Sequence, residues 1–162
     1  MDAREKYLKK ATDLALKSGC LRAKNASVLV KKDRILIMTH NLIFPENDFC
    51  AQGGCLRDKL KLGLGKEAEK CRSIHAEANA IAQAARKGIS LKGATAYITS
   101  QPCINCAKLL FCAGIVKIYF LNQHADQTGK VFLEKMGIPC EFVRLEGDDF
   151  SKRLRDTSGQ KW

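Results

Sequence analysis

Two short segments, His75-Ala76-Glu77 and Pro102-Cys103-Ile104-Asn105-Cys106, constrain this chain more than any other feature of it. His75, Cys103 and Cys106 have the side-chain chemistry of zinc ligands. Three such ligands are one too few to close a structural zinc site, which takes four protein groups; three plus a water is the arrangement of a catalytic zinc. Glu77 would stand beside that water, in place to move its protons. The fold therefore has to bring two segments distant in sequence to one point.

The spacing is workable only at helix starts. Residues two apart on a regular helix point to different sides, which would separate His75 from Glu77. A first residue with non-helical torsions removes the objection, because its side chain can turn toward the same centre. Cys103 and Cys106, in a first turn after Pro102, share a face. The positive end of that helix and a metal both favour thiolates there. His-x-Glu alone is commonplace, and Pro-Cys-x-x-Cys alone fits a zinc ribbon or a redox pair. Together, each opening a helix, they are specific, and a redox pair would leave His75 and Glu77 without a task.

The remaining pattern alternates. Leu8, Ala11, Leu14 and Ala15 recur at helical spacing up to Gly19. Ser27 to Val30 and Arg34 to His40 read as strands joined by a turn at Lys31-Lys32-Asp33. From Leu42 to Arg72 glycines and Pro45 break the pattern, leaving only a short helix over Leu56 to Leu62. Ile74, Ala78, Ile81, Ala82 and Ala85 mark the buried face of a helix ending near Gly88. A strand over Ala94 to Thr99, a helix over Cys103 to Ala113, a strand over Val116 to Leu121, a helix over Gln127 to Met136 and a strand over Glu141 to Leu145 follow. This order predicts an α/β fold, a three-layer α/β/α sandwich around a central mixed five-stranded sheet. The 162 residues suit one catalytic domain over 1–147 and a polar C-terminal tail over 148–162.

The chain carries 28 basic and 17 acidic residues, a formal charge of +11. That balance favours anionic ligands, whether a nucleotide phosphate or a nucleic acid, and is equally met by a solvated lysine surface. The charged first twenty residues hold no signal-peptide core, and Ile35 to Met38 is too short to cross a bilayer. The expectation is a cytoplasmic protein without a membrane partner. Eight cysteines in a reducing compartment point to metal ligation rather than disulfides.

Through Ile74 to Ile81 and Pro102 to Lys108, and more loosely from Cys20 to Phe120, the chain resembles the deoxycytidylate deaminases of the cytidine deaminase-like superfamily. Cys106-Ala107-Lys108 followed by Ala113-Gly114-Ile115 is more similar to that branch than to the tRNA adenosine deaminases. The resemblance implies that His75, Cys103 and Cys106 hold zinc and that Glu77 shuttles protons while dCMP becomes dUMP and ammonia, supplying thymidylate synthesis. It implies substrate contacts at Asn41, Ala76 and Ser100 and a homo-oligomer, dimer or hexamer; Arg72 and Lys108 are candidate phosphate readers by charge alone, with a plain exposed charge as the alternative for each. Thr39-His40-Asn41-Leu42 departs from the Gly-Tyr-Asn-Gly common in that family. The resemblance also implies a second, structural zinc. Cys20, Cys50, Cys55 and Cys71 are its candidate ligands, His40 could replace one of them, and free apolar thiols are the alternative. Cys112 and Cys140 read as core residues.

Two other functions fit part of the pattern. A deaminase acting on a base in RNA or DNA would use the basic charge, but the chain lacks an aromatic stacking run, with Phe44 and Phe49 in a loop and Trp162 in the tail. A non-catalytic zinc module binding nucleic acid would leave Glu77 idle.

Overall fold

The computed structural model describes residues 2–44, 50–63, 67–123 and 126–145. A five-stranded sheet has the order β2-β1-β3-β4-β5, built from β1 (Ala26–Lys31), β2 (Arg34–His40), β3 (Thr95–Ser100), β4 (Lys117–Asn122) and β5 (Cys140–Phe142). β1 runs antiparallel to both β2 and β3, whereas β3, β4 and β5 are parallel. The sheet is therefore mixed, as the alternating pattern requires. The β1–β2 hairpin turns at Lys32 and Asp33, both at positive φ (50° and 56°). A two-residue turn with both centres left-handed matches the natural twist of paired strands.

Side-chain alternation along the strands divides the interior into two cores. Val28, Val30 and Tyr97 pack with Tyr7, Leu8, Ala11 and Ala15 of α1 (Ala3–Ala15). Leu29, Ile98, Ile118 and Phe120 face the other way, onto Ala80 and Ala84 of α4 (Ala76–Arg86), Ala107 and Leu110 of α5 (Ile104–Cys112) and Leu133 of α6 (Thr128–Lys135). One helix thus covers one face and three cover the other, which makes the three layers expected. Two short helices, α2 (Cys50–Gly53) and α3 (Leu56–Lys59), and a 3-10 turn at Ala68–Lys70 lie between β2 and α4. Among the described residues no helix is long and apolar enough to cross a membrane.

Three expectations need correction. The buried face of α4 is Ala76, Glu77, Asn79, Ala80 and Ala84, whereas Ala82 and Ala85 are exposed. Alanines stand on every side of this helix, so apolar periodicity could not choose the face. Cys112 is exposed at the end of α5 and is not a core residue. The first helix ends at the Leu16 cap, before Gly19. The tail over 148–162 lies outside the described residues.

Candidate metal centre

β3 carries the chain from the middle of the sheet to its carboxyl end, where Pro102 leads into α5. Crevices at the carboxyl ends of sheet strands are the usual place for ligands in such folds. α4 begins at the same place. His75 is its N-cap residue with extended torsions (φ −62°, ψ 149°), and Cys103 holds the equivalent position on α5 (φ −67°, ψ 165°). Neither side chain caps its own helix. Each is turned toward the other instead.

His75 Nδ1 lies 3.6 Å from Cys103 Sγ and 3.6 Å from Cys106 Sγ. The three ligand atoms all fall within 4.8 Å of one another. Tetrahedral bonds of the usual lengths from one zinc ion would set nitrogen and sulfur about 3.6 Å apart, so the set fits that ion. Among the described residues no other histidine, cysteine or acidic group of three lies this close.

The protons are already unevenly placed. The Cys106 thiol, supported by His75, holds the Cys103 sulfur down to about 4, and this partnership pushes the Cys106 thiol up. The hydrogen bond to Cys103 raises His75 to about 11, with help from Cys71 and against the cost of burial. Glu77, on the first turn of α4, is 7% exposed. Burial pushes its carboxyl upward, while the charge of His75 opposes the shift. A buried carboxyl beside a cluster of metal-ligating atoms is placed for proton transfer.

Asn41 supplies the cap that His75 cannot. Its Oδ1 accepts from Ala76 N–H at 2.9 Å, and its Nδ2 donates to the Ala23 carbonyl at 2.7 Å. The Ala76 carbonyl accepts from Thr39 Oγ1 at 2.7 Å, so both backbone groups of this fully buried residue bond inward. The end of β2 and the Asn25 carbonyl, which accepts from Asn41 N–H, thereby fix where α4 starts. Ser100 Oγ donates to Asn25 Oδ1 at 2.7 Å.

A cleft borders the centre, with His75 and Cys103 in its wall alongside Asn25 and Asn41. Cys20, Cys50, Cys55 and Cys71 line the same cleft. Cys71 sits beside His75, whose hydrogen bond holds its thiol down to about 6, whereas burial pushes Cys50 up. His40 is engaged elsewhere, its Nδ1 lying 2.9 Å from the Asn41 carbonyl. Four basic residues, Arg22, Arg57, Lys70 and Arg72, also line the cleft, while Lys108 is exposed on α5. Arg22, Asn25, Arg57 and Lys70 were not among the sequence candidates. Their segments carry no motif, and only the folded chain brings them to one cleft.

The family model for the cytidine and deoxycytidylate deaminase zinc-binding region matches residues 1–122, a span that includes both motifs. The chain belongs to this family. Over 135 residues it is 32% identical to ComE operon protein 2 of Bacillus subtilis, covering 82% of this chain and 67% of that protein. Over 133 residues it is 27% identical to the deoxycytidylate deaminase of Schizosaccharomyces pombe, covering 82% of this chain and 41% of that enzyme. The chain thus spans about two thirds of the bacterial relative and less than half of the yeast one. Among solved folds, the dCMP deaminase of cyanophage S-TIM5, crystallised with dCMP and dUMP, superposes with a TM-score of 0.69 at 26% identity. That match covers 86% of this chain and 95% of the phage enzyme.

Proposed function

We propose that this protein converts dCMP and water to dUMP and ammonia, in a zinc-dependent deamination that supplies dUMP for thymidylate synthesis. The observation that carries the proposal is the convergence of His75 Nδ1, Cys103 Sγ and Cys106 Sγ on one point, with buried Glu77 in the same helix turn. These three side chains would hold the zinc, which when bound supplies the Lewis acidity that makes water a ready nucleophile at neutral pH. Glu77 takes a proton from that water and gives it to ring nitrogen N3, next to the attacked carbon. It then carries a proton to the departing 4-amino group, which leaves as ammonia. The Cys103 and Cys106 sulfurs and the His75 ring act as fixed groups throughout. Their helix starts are braced by Asn41 on one side and Pro102 on the other.

The preference for a monophosphate is supported by the basic lining of the cleft. Arg22, Arg57, Lys70 and Arg72 line the same cleft as His75 and Cys103. A nucleotide bound with its base at the metal centre would extend its phosphate toward positive charge. Asn41 in the cleft wall, with Ala76 and Ser100 behind it, would shape the pocket for base and sugar.

A second, structural zinc held by Cys20, Cys50, Cys55 and Cys71 belongs to the same reading. All four thiols border one cleft, and Cys20, Cys55 and Cys71 act on Cys50 through their charge, although no three of the four stand as close together as the His75 set. Zinc content of the purified protein distinguishes the cases: two ions per chain are expected, and one would remove this site alone.

Ammonia release from dCMP, dCTP, CMP, deoxycytidine and guanine tests the substrate. Turnover of dCMP well above the rest is expected. Silence on every monomer, with strong salt-dependent RNA binding, would replace this reading with a polynucleotide deaminase.

A further inference from the structure

Asn25 immediately precedes β1, and three hydrogen bonds define its surroundings. Thr99 is fully buried, and its Oγ1 accepts from Ala26 N–H at 3.0 Å. Having accepted there, the hydroxyl must give its own proton away, and the Asn25 carboxamide lies 3.1 Å from it. The carboxamide atom facing Thr99 is therefore the oxygen. Ser100 Oγ donates to that same oxygen at 2.7 Å. With Oδ1 held from two sides, Nδ2 is directed away from β3. Among the described residues nothing accepts from Nδ2, in a side chain that lines the cleft shared by His75 and Cys103.

The position along the cleft is informative. Arg22, part of the basic lining, is three residues before Asn25, and Ser100, its partner on β3, is three residues before Cys103. Asn25 therefore lines one cleft together with Arg22 of the basic lining and with His75 and Cys103 of the metal centre. A deoxycytidylate with its 4-amino group at the metal centre and its phosphate on the basic residues carries several oxygen acceptors in between, of which two can be altered singly without breaking the sugar ring or the phosphate ester. These two are the 2-keto oxygen of the base and the 3′-hydroxyl of the sugar.

We infer that Asn25 is a specificity-determining residue that donates a hydrogen bond from Nδ2 to an oxygen of the bound nucleotide, a role that rests on the deaminase reading above. Thr99 and Ser100 lock the carboxamide so that only the donor end faces the substrate. A pocket built around such a donor rejects ligands that lack the acceptor, because the N–H is then left without a partner.

The test compares wild type, Asn25→Asp and Asn25→Ala, each with full zinc content, on dCMP, 2′,3′-dideoxycytidine monophosphate and 2-thio-dCMP. Asn25→Asp keeps the oxygen to which Thr99 and Ser100 donate and removes the donor. On dCMP both variants are expected to lose about tenfold or more in kcat/KM. The deficit should shrink to about threefold or less on one analogue. It shrinks on the dideoxy compound if the 3′-hydroxyl is read, and on the thio compound if the keto oxygen is read. Asn25→Ala adds no charge, so a ratio shared by both variants reports the lost donor rather than the added charge. Full activity of Asn25→Asp, or an equal deficit on all three substrates, would overturn the inference and leave Asn25 as a brace between strands. A wild type that releases no ammonia from dCMP would overturn the deaminase reading and this inference with it, whereas an active wild type with unaffected variants would overturn this one alone.

Discussion

Glu77 has the burial of a core residue and the chemistry of a surface one, and α4 accommodates both by placing it in the first turn beside His75. There the carboxyl is raised by burial and still feels the positive end of the helix. Glu77→Gln keeps the shape and hydrogen-bonding capacity and removes only the exchangeable proton. Its expected outcome is wild-type zinc content with ammonia release lowered by about a hundredfold to ten-thousandfold. A Glu77→Gln variant that is zinc-loaded and still active would remove Glu77 from the proton pathway. The ligands make a separate prediction. His75 is raised to about 11 and Cys106 is raised as well, so both hold their protons at neutral pH, whereas Cys103, held down to about 4, has already lost its own. Zinc must displace the two protons that remain, so its affinity should rise with pH by up to about two logarithmic units per pH unit. Competition against a chromophoric chelator between about pH 6.5 and 8 measures the slope, and a flat profile would mean that other groups hold the ion.

At the scale of elements, the site depends on how closely α6 approaches the turn before α5. A Cβ placed on Gly129 would press on the Pro102 carbonyl oxygen and stand 2.8 Å from the Cys103 carbonyl carbon. Backbone meets backbone here, so no flexible side chain can give way. Gly129→Ala should lower stability by about 1–3 kcal/mol and shift Cys103, with zinc affinity falling alongside the unfolding midpoint. A variant as stable and as tightly metallated as wild type would show that the turn moves freely. This contact also marks where sequence reading stops. His75, Cys103 and Cys106 were legible because their spacing only makes sense at two helix starts, and the strand–helix order was legible because its periods differ. Gly129 looked like an ordinary early helix residue, since its reason for being glycine lies in a segment folded against it from elsewhere. The buried face of α4 failed for a related reason: Asn79 is tied by its Nδ2 to the His40 carbonyl and Glu77 points to the metal centre, so polar residues occupy positions where periodicity looks for apolar ones.

Across the whole molecule, the candidate metal centre links two helices of one core that lean on different parts of the sheet. α4 packs against β1 and β2 at one side of the sheet, whereas Cys103 and Cys106 arrive through the parallel half formed by β3, β4 and β5. A zinc ion bound to both would cross-link these halves and bind the folded chain far better than the unfolded one. Ligands of that kind stabilise by mass action, by about 4 kcal/mol when present at a thousandfold over the dissociation constant. Removing metal with a strong chelator should therefore lower the unfolding midpoint, and readded zinc should restore it. Cys106→Ser separates the contributions. If the four thiols that line the cleft, Cys20, Cys50, Cys55 and Cys71, hold a second ion, this variant should lose one zinc, all activity and part of the chelator effect, while the remaining part persists. A chelator effect abolished entirely in Cys106→Ser would locate all metal-dependent stability at the His75 centre, and no effect on the wild type would show that the two halves of the sheet need no ion between them.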